Sequence, residues 1–146
     1  MSILSFVKEA GEKLLDLLTP GNVNAGEQLK AHIAGVGLGN PNVQATVAGD
    51  KVTVTGTVAS QEEKEKVLLA LGNIAGIGSV DDQITVSGPV VPAARFVVVK
   101  KGDTLSAISK AVYGDANQYN RIFEANKPLL SHPDKIYPGQ TLRIPA

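Results

Sequence analysis

The chain has 146 residues, with 14 basic and 14 acidic side chains that cancel, and it has no cysteine. That length holds one ordinary domain or two small ones, the balanced charge gives no field to draw the chain onto nucleic acid or an anionic membrane, and the missing cysteines exclude disulfides, thiolate metal sites and cysteine nucleophiles. The opening residues lack a basic n-region and carry charges soon after Val7, so they do not read as a signal peptide. No stretch reaches the roughly 18 apolar residues that a membrane span needs, and the expectation is a soluble, cytoplasmic protein.

In chain order, Ile3, Phe6, Val7, Ala10, Leu14, Leu17 and Leu18 recur as on one helical face. The spacing predicts a helix over residues 2–18, stopped by Thr19-Pro20-Gly21. Asn24 with Glu27 predicts the next helix start, with Leu29, Ile33 and Val36 on one face. Gly35-Val36-Gly37-Leu38-Gly39 follows a helix rather than a strand and lacks the Lys-Ser/Thr of a phosphate loop, so it reads as a helix stop. Val43, Ala45 and Val47 alternate, as do Val52, Val54, Gly56 and Val58, with Gly49-Asp50 as the hairpin turn and Thr53, Thr55 and Thr57 on the opposite face. Ser60 and Glu63 form a capping box for a helix that turns Val67, Leu68 and Leu71 inward. The glycines from Gly72 to Gly78 break it, and Val80, Ile84 and Val86 read as a last strand. The order αββαβ predicts an α+β unit with helices covering one face of a sheet.

Ser87 to Ala94 contains two prolines and reads as an extended, semi-stiff tether. Beyond it, Arg95 to Val99 is a strand. Asp103 or Thr104 caps a helix carrying Leu105, Ile108 and Val112, which Gly114 ends. A second helix is expected near Gln118 to Ala125, and Thr141 to Ile144 pairs with the first strand, giving βααβ. The expected divisions are residues 1–23, an N-terminal helix; 24–87, the first module; 88–94, the tether; and 95–146, the second module.

No catalytic signature survives inspection. His32 and His132 lie in different modules without a carboxylate at helical metal spacing. Asp81 and Asp82 are adjacent in a strand and point to opposite faces. Glu62, Glu63 and Glu65 are expected on an exposed helix face with Lys64 and Lys66, with Glu62 and Lys66 as an i,i+4 pair. The expectation is a binding protein, not an enzyme. Two stretches could gather main-chain carbonyls, Val7 to Gly11 and Gly72 to Gly78. Their glycines also admit a purely structural account, in which Gly72 is a helix C-cap, Gly76 and Gly78 shape a loop, and Gly11 permits a close contact.

Gly56 after the valine-rich strand and Ser79-Val80-Asp81-Asp82 entering the last one resemble a BON domain. Val99-Lys100-Lys101-Gly102-Asp103-Thr104-Leu105 and Ile136-Tyr137-Pro138-Gly139-Gln140-Thr141-Leu142 resemble the two ends of a LysM module. With Phe6-Val7-Lys8 through Gly11-Glu12-Lys13-Leu14 and Gly72-Asn73-Ile74 through Gly76-Ile77, nearly the whole chain is similar to the bacterial BON–LysM potassium-binding proteins. The resemblance implies one K+ held by main-chain oxygens of Val7, Ala10, Gly72, Ile74 and Ile77, with Gly76 permitting the geometry. The function expected is that of a cytoplasmic sensor or buffer in osmotic or envelope stress; an ion bridging the N-terminal helix to the BON core would shift the population toward a compact form by mass action, and a monomer is expected. Gly78 departs from the group, where alanine is more typical, and is expected to loosen the loop.

LysM modules imply a second ligand class, N-acetylglucosamine-containing glycans such as peptidoglycan. The matching positions are Gly102, Asp103, Thr104, Leu105, Asn126, Lys127, Ile136, Tyr137, Pro138 and Gly139, with Tyr137 as an apolar platform. The fold itself also needs a cap at Asp103-Thr104 and a turn at Pro138-Gly139. A phospholipid-surface role, known among BON domains, is disfavoured because no basic patch stands out.

Overall fold

The computed structural model describes residues 2–8, 11, 25–39 and 41–145. In the first module, strands β1 (Ser2–Ser5), β2 (Val43–Ala48), β3 (Lys51–Val58) and β4 (Ser79–Val86) form one sheet in the order β1-β4-β3-β2. β3 and β4 are parallel, and the other pairs antiparallel. Helices α1 (Ala25–Ile33) and α2 (Gln61–Gly72) supply Leu29, Ile33, Val67, Leu68 and Leu71 to a core shared with Val43, Ala45, Val52, Val54, Val80 and Ile84. The register lines Leu4, Val80, Val52 and Val47 across the sheet, and Thr53 and Asp81 fall in the alternate row. This is the alternation expected of a sheet covered on one face.

The N-terminal segment overturns one expectation. Ser2–Ser5 is not helical; it is a strand pairing Leu4 with Val80 and Ser5 with Ser79. Ile3, placed on the helical stripe by spacing, is 61% exposed, while Leu4 packs against the core. Without β1, the main chain of β4 would present an open edge, and pairing there outweighs a short apolar period. The expected helix over residues 12–18, its stop at 19–21 and the cap at Asn24 lie outside the described residues.

Past α1 the chain makes one wide turn over Ala34–Leu38, with Gly37 at φ 98°, and a Cβ at Gly37 would stand 2.9 Å from Pro128 of the second module. Ser60 caps α2 as expected, its Oγ accepting from the Glu63 N–H at 3.1 Å, while Glu63 Oε2 accepts from the N–H of Ala59, one residue before the cap, at 3.3 Å. The Glu62–Lys66 pair forms at 3.3 Å. Asp82 turns inward to Lys64 at 3.0 Å, while Asp81 accepts from Gln83 on the other side.

The second module pairs β5 (Arg95–Val98) antiparallel with β6 (Thr141–Ile144) beside α3 (Leu105–Tyr113) and α4 (Tyr119–Ala125). Thr104, not Asp103, caps α3, accepting from the Ala107 N–H at 3.1 Å. Leu105, Ile108, Ile122, Leu130, Leu142 and Ile144 build its core.

The modules meet along α2, which explains why Val67 to Gly72 is buried throughout. The sheet covers one side of the helix and β6 the other. A second expectation fails here, since Glu65 is not on an exposed face but 1% exposed. Its Oε1 accepts from Arg143 Nε and Nη2 at 3.1 and 2.8 Å, and its Oε2 accepts from the Ala94 N–H at 2.8 Å. Glu65 therefore ties α2 to β6 and to the end of the tether. Leu129 adds an apolar contact with the first core.

Candidate functional site

The two glycine-bearing stretches singled out above come together. The Phe6 N–H donates to the Gly78 carbonyl at 2.9 Å, and the Gly76 N–H donates to the Lys8 carbonyl at 2.5 Å. Two glycines make this approach fit. A Cβ on Gly72 would stand 2.1 Å from the Phe6 ring, so the ring lies directly over the last residue of α2. A Cβ on Gly11, where φ is +102°, would stand 2.0 Å from the Asn73 carbonyl oxygen. The C-cap of α2 is Asn73, whose N–H donates to the Leu69 carbonyl at 2.9 Å, so Gly72 makes room for Phe6 rather than serving as the cap.

Of the predicted ligands, Val7 lies in the segment facing the loop, Gly72 is the last residue of α2, and Ile74, Gly76 and Ile77 lie in the loop itself. Ala10 lies outside the described residues. The Ile74 carbonyl accepts from the Ile77 N–H at 3.1 Å, which leaves its second lone pair for another partner. Gly76 holds φ at 96°. Ile74 and Ile77 are fully buried and anchor the loop in the core of the first module.

A third element borders the loop. Asp50, at the β2–β3 hairpin tip, accepts from the Gly78 N–H through its carbonyl at 2.8 Å, and its carboxylate pairs with Lys8 at 3.2 Å. Sequence reading treated Asp50 only as a turn residue. Among the described residues no cluster of three or more His, Cys, Asp or Glu side chains could hold a metal. Beside the paired Asp50 and Lys8, the oxygens gathered here are uncharged peptide carbonyls, which suit a large, weakly hydrated monovalent cation better than calcium or a transition metal.

The glycan positions divide differently. A groove of about 420 Å³ is lined by Thr104, Leu105, Ser106, Tyr119, His132, Pro133 and Asp134. Only Thr104 and Leu105 of the expected set line it. Gly102 and Asp103 adjoin it in the preceding turn, with Asp103 Oδ2 accepting from the Lys100 N–H at 2.9 Å. Asn126 is 1% exposed and its amide is spent, donating to the Ile122 and Arg143 carbonyls at 2.7 and 2.9 Å and accepting from the Arg143 N–H at 2.9 Å. Lys127 pairs with Glu124 and lies 4.7 Å from the Phe123 ring centroid. Ile136 packs on the second core, and the Gly139 N–H closes the Pro138 turn onto the Val99 carbonyl at 2.8 Å. Tyr137 does not face the groove. It lines an intermodular cleft of about 410 Å³ with His32, Leu69, Asn73, Lys135 and Gln140. The aromatic wall of the groove is Tyr119, 40% exposed at the start of α4, a residue not singled out from the sequence.

A BON domain model matches residues 23–88 and a LysM domain model residues 97–145, so the fold and site belong to a two-module BON–LysM protein. The chain is 55% identical to the Potassium binding protein Kbp of Escherichia coli O6:H1, over 99% of both chains. It is also 31% identical to an uncharacterised protein of Deinococcus radiodurans over 74% of this chain and 46% of that one, and 35% identical to YqbP of Bacillus subtilis over 39% of this chain and 30% of that one. The chain belongs to the BON–LysM family that includes Kbp. Among the described residues, no helix is long and apolar enough to cross a membrane.

Proposed function

We propose that the chain is a cytoplasmic potassium-binding protein. One K+ is held by main-chain carbonyls of Val7, Ala10, Gly72, Ile74 and Ile77, with Gly76 shaping the loop. The carrying observation is the apposition of Phe6, Lys8 and Gly11 on the stretch from Gly72 to Gly78, through main-chain hydrogen bonds and with Phe6 over Gly72. The name of the 55% identical relative supports the choice of ion. An ion bridging both stretches binds only the docked arrangement, so it shifts the population toward a more compact molecule, as a sensor or buffer in osmotic or envelope stress requires. The role is binding, without catalysis, by a monomer.

Thermal melts in KCl, NaCl and choline chloride at equal ionic strength test this. At a potassium concentration about 100 times Kd, binding contributes about 2.7 kcal/mol. For a chain of this size that is a rise in Tm of roughly 5–10 °C in KCl alone. Superimposed melts in the three salts would overturn the reading.

The groove at Thr104, Tyr119 and His132 favours a second role, binding of N-acetylglucosamine oligomers or peptidoglycan fragments. Calorimetric titration with chitin oligomers tests it, and no heat at millimolar oligomer removes it.

A further inference from the structure

Asn73 touches three parts of the molecule. Its N–H closes α2 on Leu69, and its carbonyl oxygen lies against Gly11 of the N-terminal segment. Its side chain grips the LysM strand β6, with Nδ2 donating to the Thr141 carbonyl at 2.9 Å and Oδ1 accepting from the Thr141 N–H at 2.9 Å. This reciprocal pair is what a neighbouring strand would offer Thr141. Two residues on, Asn126 offers the same pair to Arg143 from within the LysM module. The outer edge of β6 is therefore completed half by its own module and half by the BON loop. Asn is suited to this because one short amide presents a donor and an acceptor together; Asp lacks the donor and Leu lacks both.

Asn73 stands between Gly72 and Ile74, two of the carbonyl residues assigned above. While its amide is held on Thr141, the main chain that carries those two carbonyls is tethered to β6. The Thr141 hydroxyl is buried beside this pair with no hydrogen-bond partner among the described residues. An unsatisfied hydroxyl opposes the docked state, which leaves an ion room to tip the balance.

We infer that Asn73 is a positioning residue through which the LysM strand sets the potassium affinity of the BON loop. The inference rests on the potassium reading above. By linkage, the factor by which docking strengthens ion binding is the factor by which the ion strengthens docking. The Glu65–Arg143 contact is the second arm of the same docking surface, about 12 Å earlier along α2 and outside the loop.

The test is calorimetric titration of KCl, at constant ionic strength with choline chloride, into the full chain as wild type, Asn73→Ala, Glu65→Gln and the double variant. Asn73→Ala is expected to bind about 10-fold more weakly. Glu65→Gln is expected to weaken binding too, although it touches nothing in the loop. The double variant is expected to lose less than the product of the two, because both act through one docking step. Asn73→Ala within twofold of wild type overturns the inference, as does a weakened Asn73→Ala beside an unchanged Glu65→Gln, which would mean local damage to the loop. Should circular dichroism show Asn73→Ala unfolded, Glu65→Gln against wild type decides alone. A wild type that binds no potassium overturns the ion reading itself and takes this inference with it.

Discussion

At the scale of single residues, the glycines around the candidate site serve separate ends. Gly11 combines a positive φ with contact against the Asn73 carbonyl, so Gly11→Ala meets both backbone strain and a collision that no side-chain movement relieves. Its expected outcome is loss of the KCl-specific rise in Tm with only a small fall in choline chloride, read by paired melts. Gly78 differs. Its φ is unrestricted, and the atoms nearest an added Cβ belong to the Asp50 carboxylate and the Lys8 side chain, at 2.7 and 2.9 Å. Both can move, because the pair they form is half exposed and weakly held. Gly78→Ala is therefore expected to stabilise the chain by about 0.4–1 kcal/mol through the unfolded state, measured by urea unfolding. The sequence displayed the glycines and the close contact at Gly11, but not the partners that make them necessary. Phe6 over Gly72 and Asp50 beside Gly78 are partners from far along the chain, and main-chain ligands leave almost no trace in side-chain identity.

Among the elements, α2 separates what periodicity can reveal from what it cannot. Its cap and its Val67, Leu68 and Leu71 face were legible because both are local. The burial of Glu65 was not, since it depends on β6 crossing the helix's other side, and a glutamate between two lysines otherwise reads as solvated. β1 failed for the related reason that Ile3 and Phe6 satisfy a helical spacing, and only the open edge of β4 makes Ser2–Ser5 a strand. The charges on α2 give a graded expectation. Lys64→Ala strands the Asp82 carboxylate in the core, and the loss should be about 2 kcal/mol, below the 3–5 of fully buried pairs because Lys64 keeps 21% exposure. Lys66→Ala removes only a pair with the exposed Glu62 and should cost less than about 0.5 kcal/mol. Urea unfolding of both variants checks the ordering, and equal losses would contradict the burial assigned to Asp82.

For the whole molecule, the decisive geometry is that the N-terminal segment, the BON loop and the LysM strand converge on one corner at Asn73. The residues lining the sugar-type groove, from Thr104 to Asp134, share none with the docking surface formed by Glu65, Asn73, Thr141 and Arg143. Docking therefore leaves the groove uncovered. An ion acting at that corner should tighten all three parts together while leaving the hairpin of β2 and β3, already paired along its length, unchanged. Hydrogen exchange in KCl and in choline chloride separates the alternatives. The N–H groups of Phe6, Gly76, Gly78 and Thr141 each cross between parts, to the carbonyls of Gly78, Lys8 and Asp50 and to Asn73 Oδ1 respectively. Potassium is expected to slow all four, by a common factor if they open as one cooperative unit, with Thr46 and Val54 in the hairpin unaffected. Slowing at Gly76 without slowing at Thr141 would mean that the ion closes the loop and stops there, with the LysM module docked or free regardless of it.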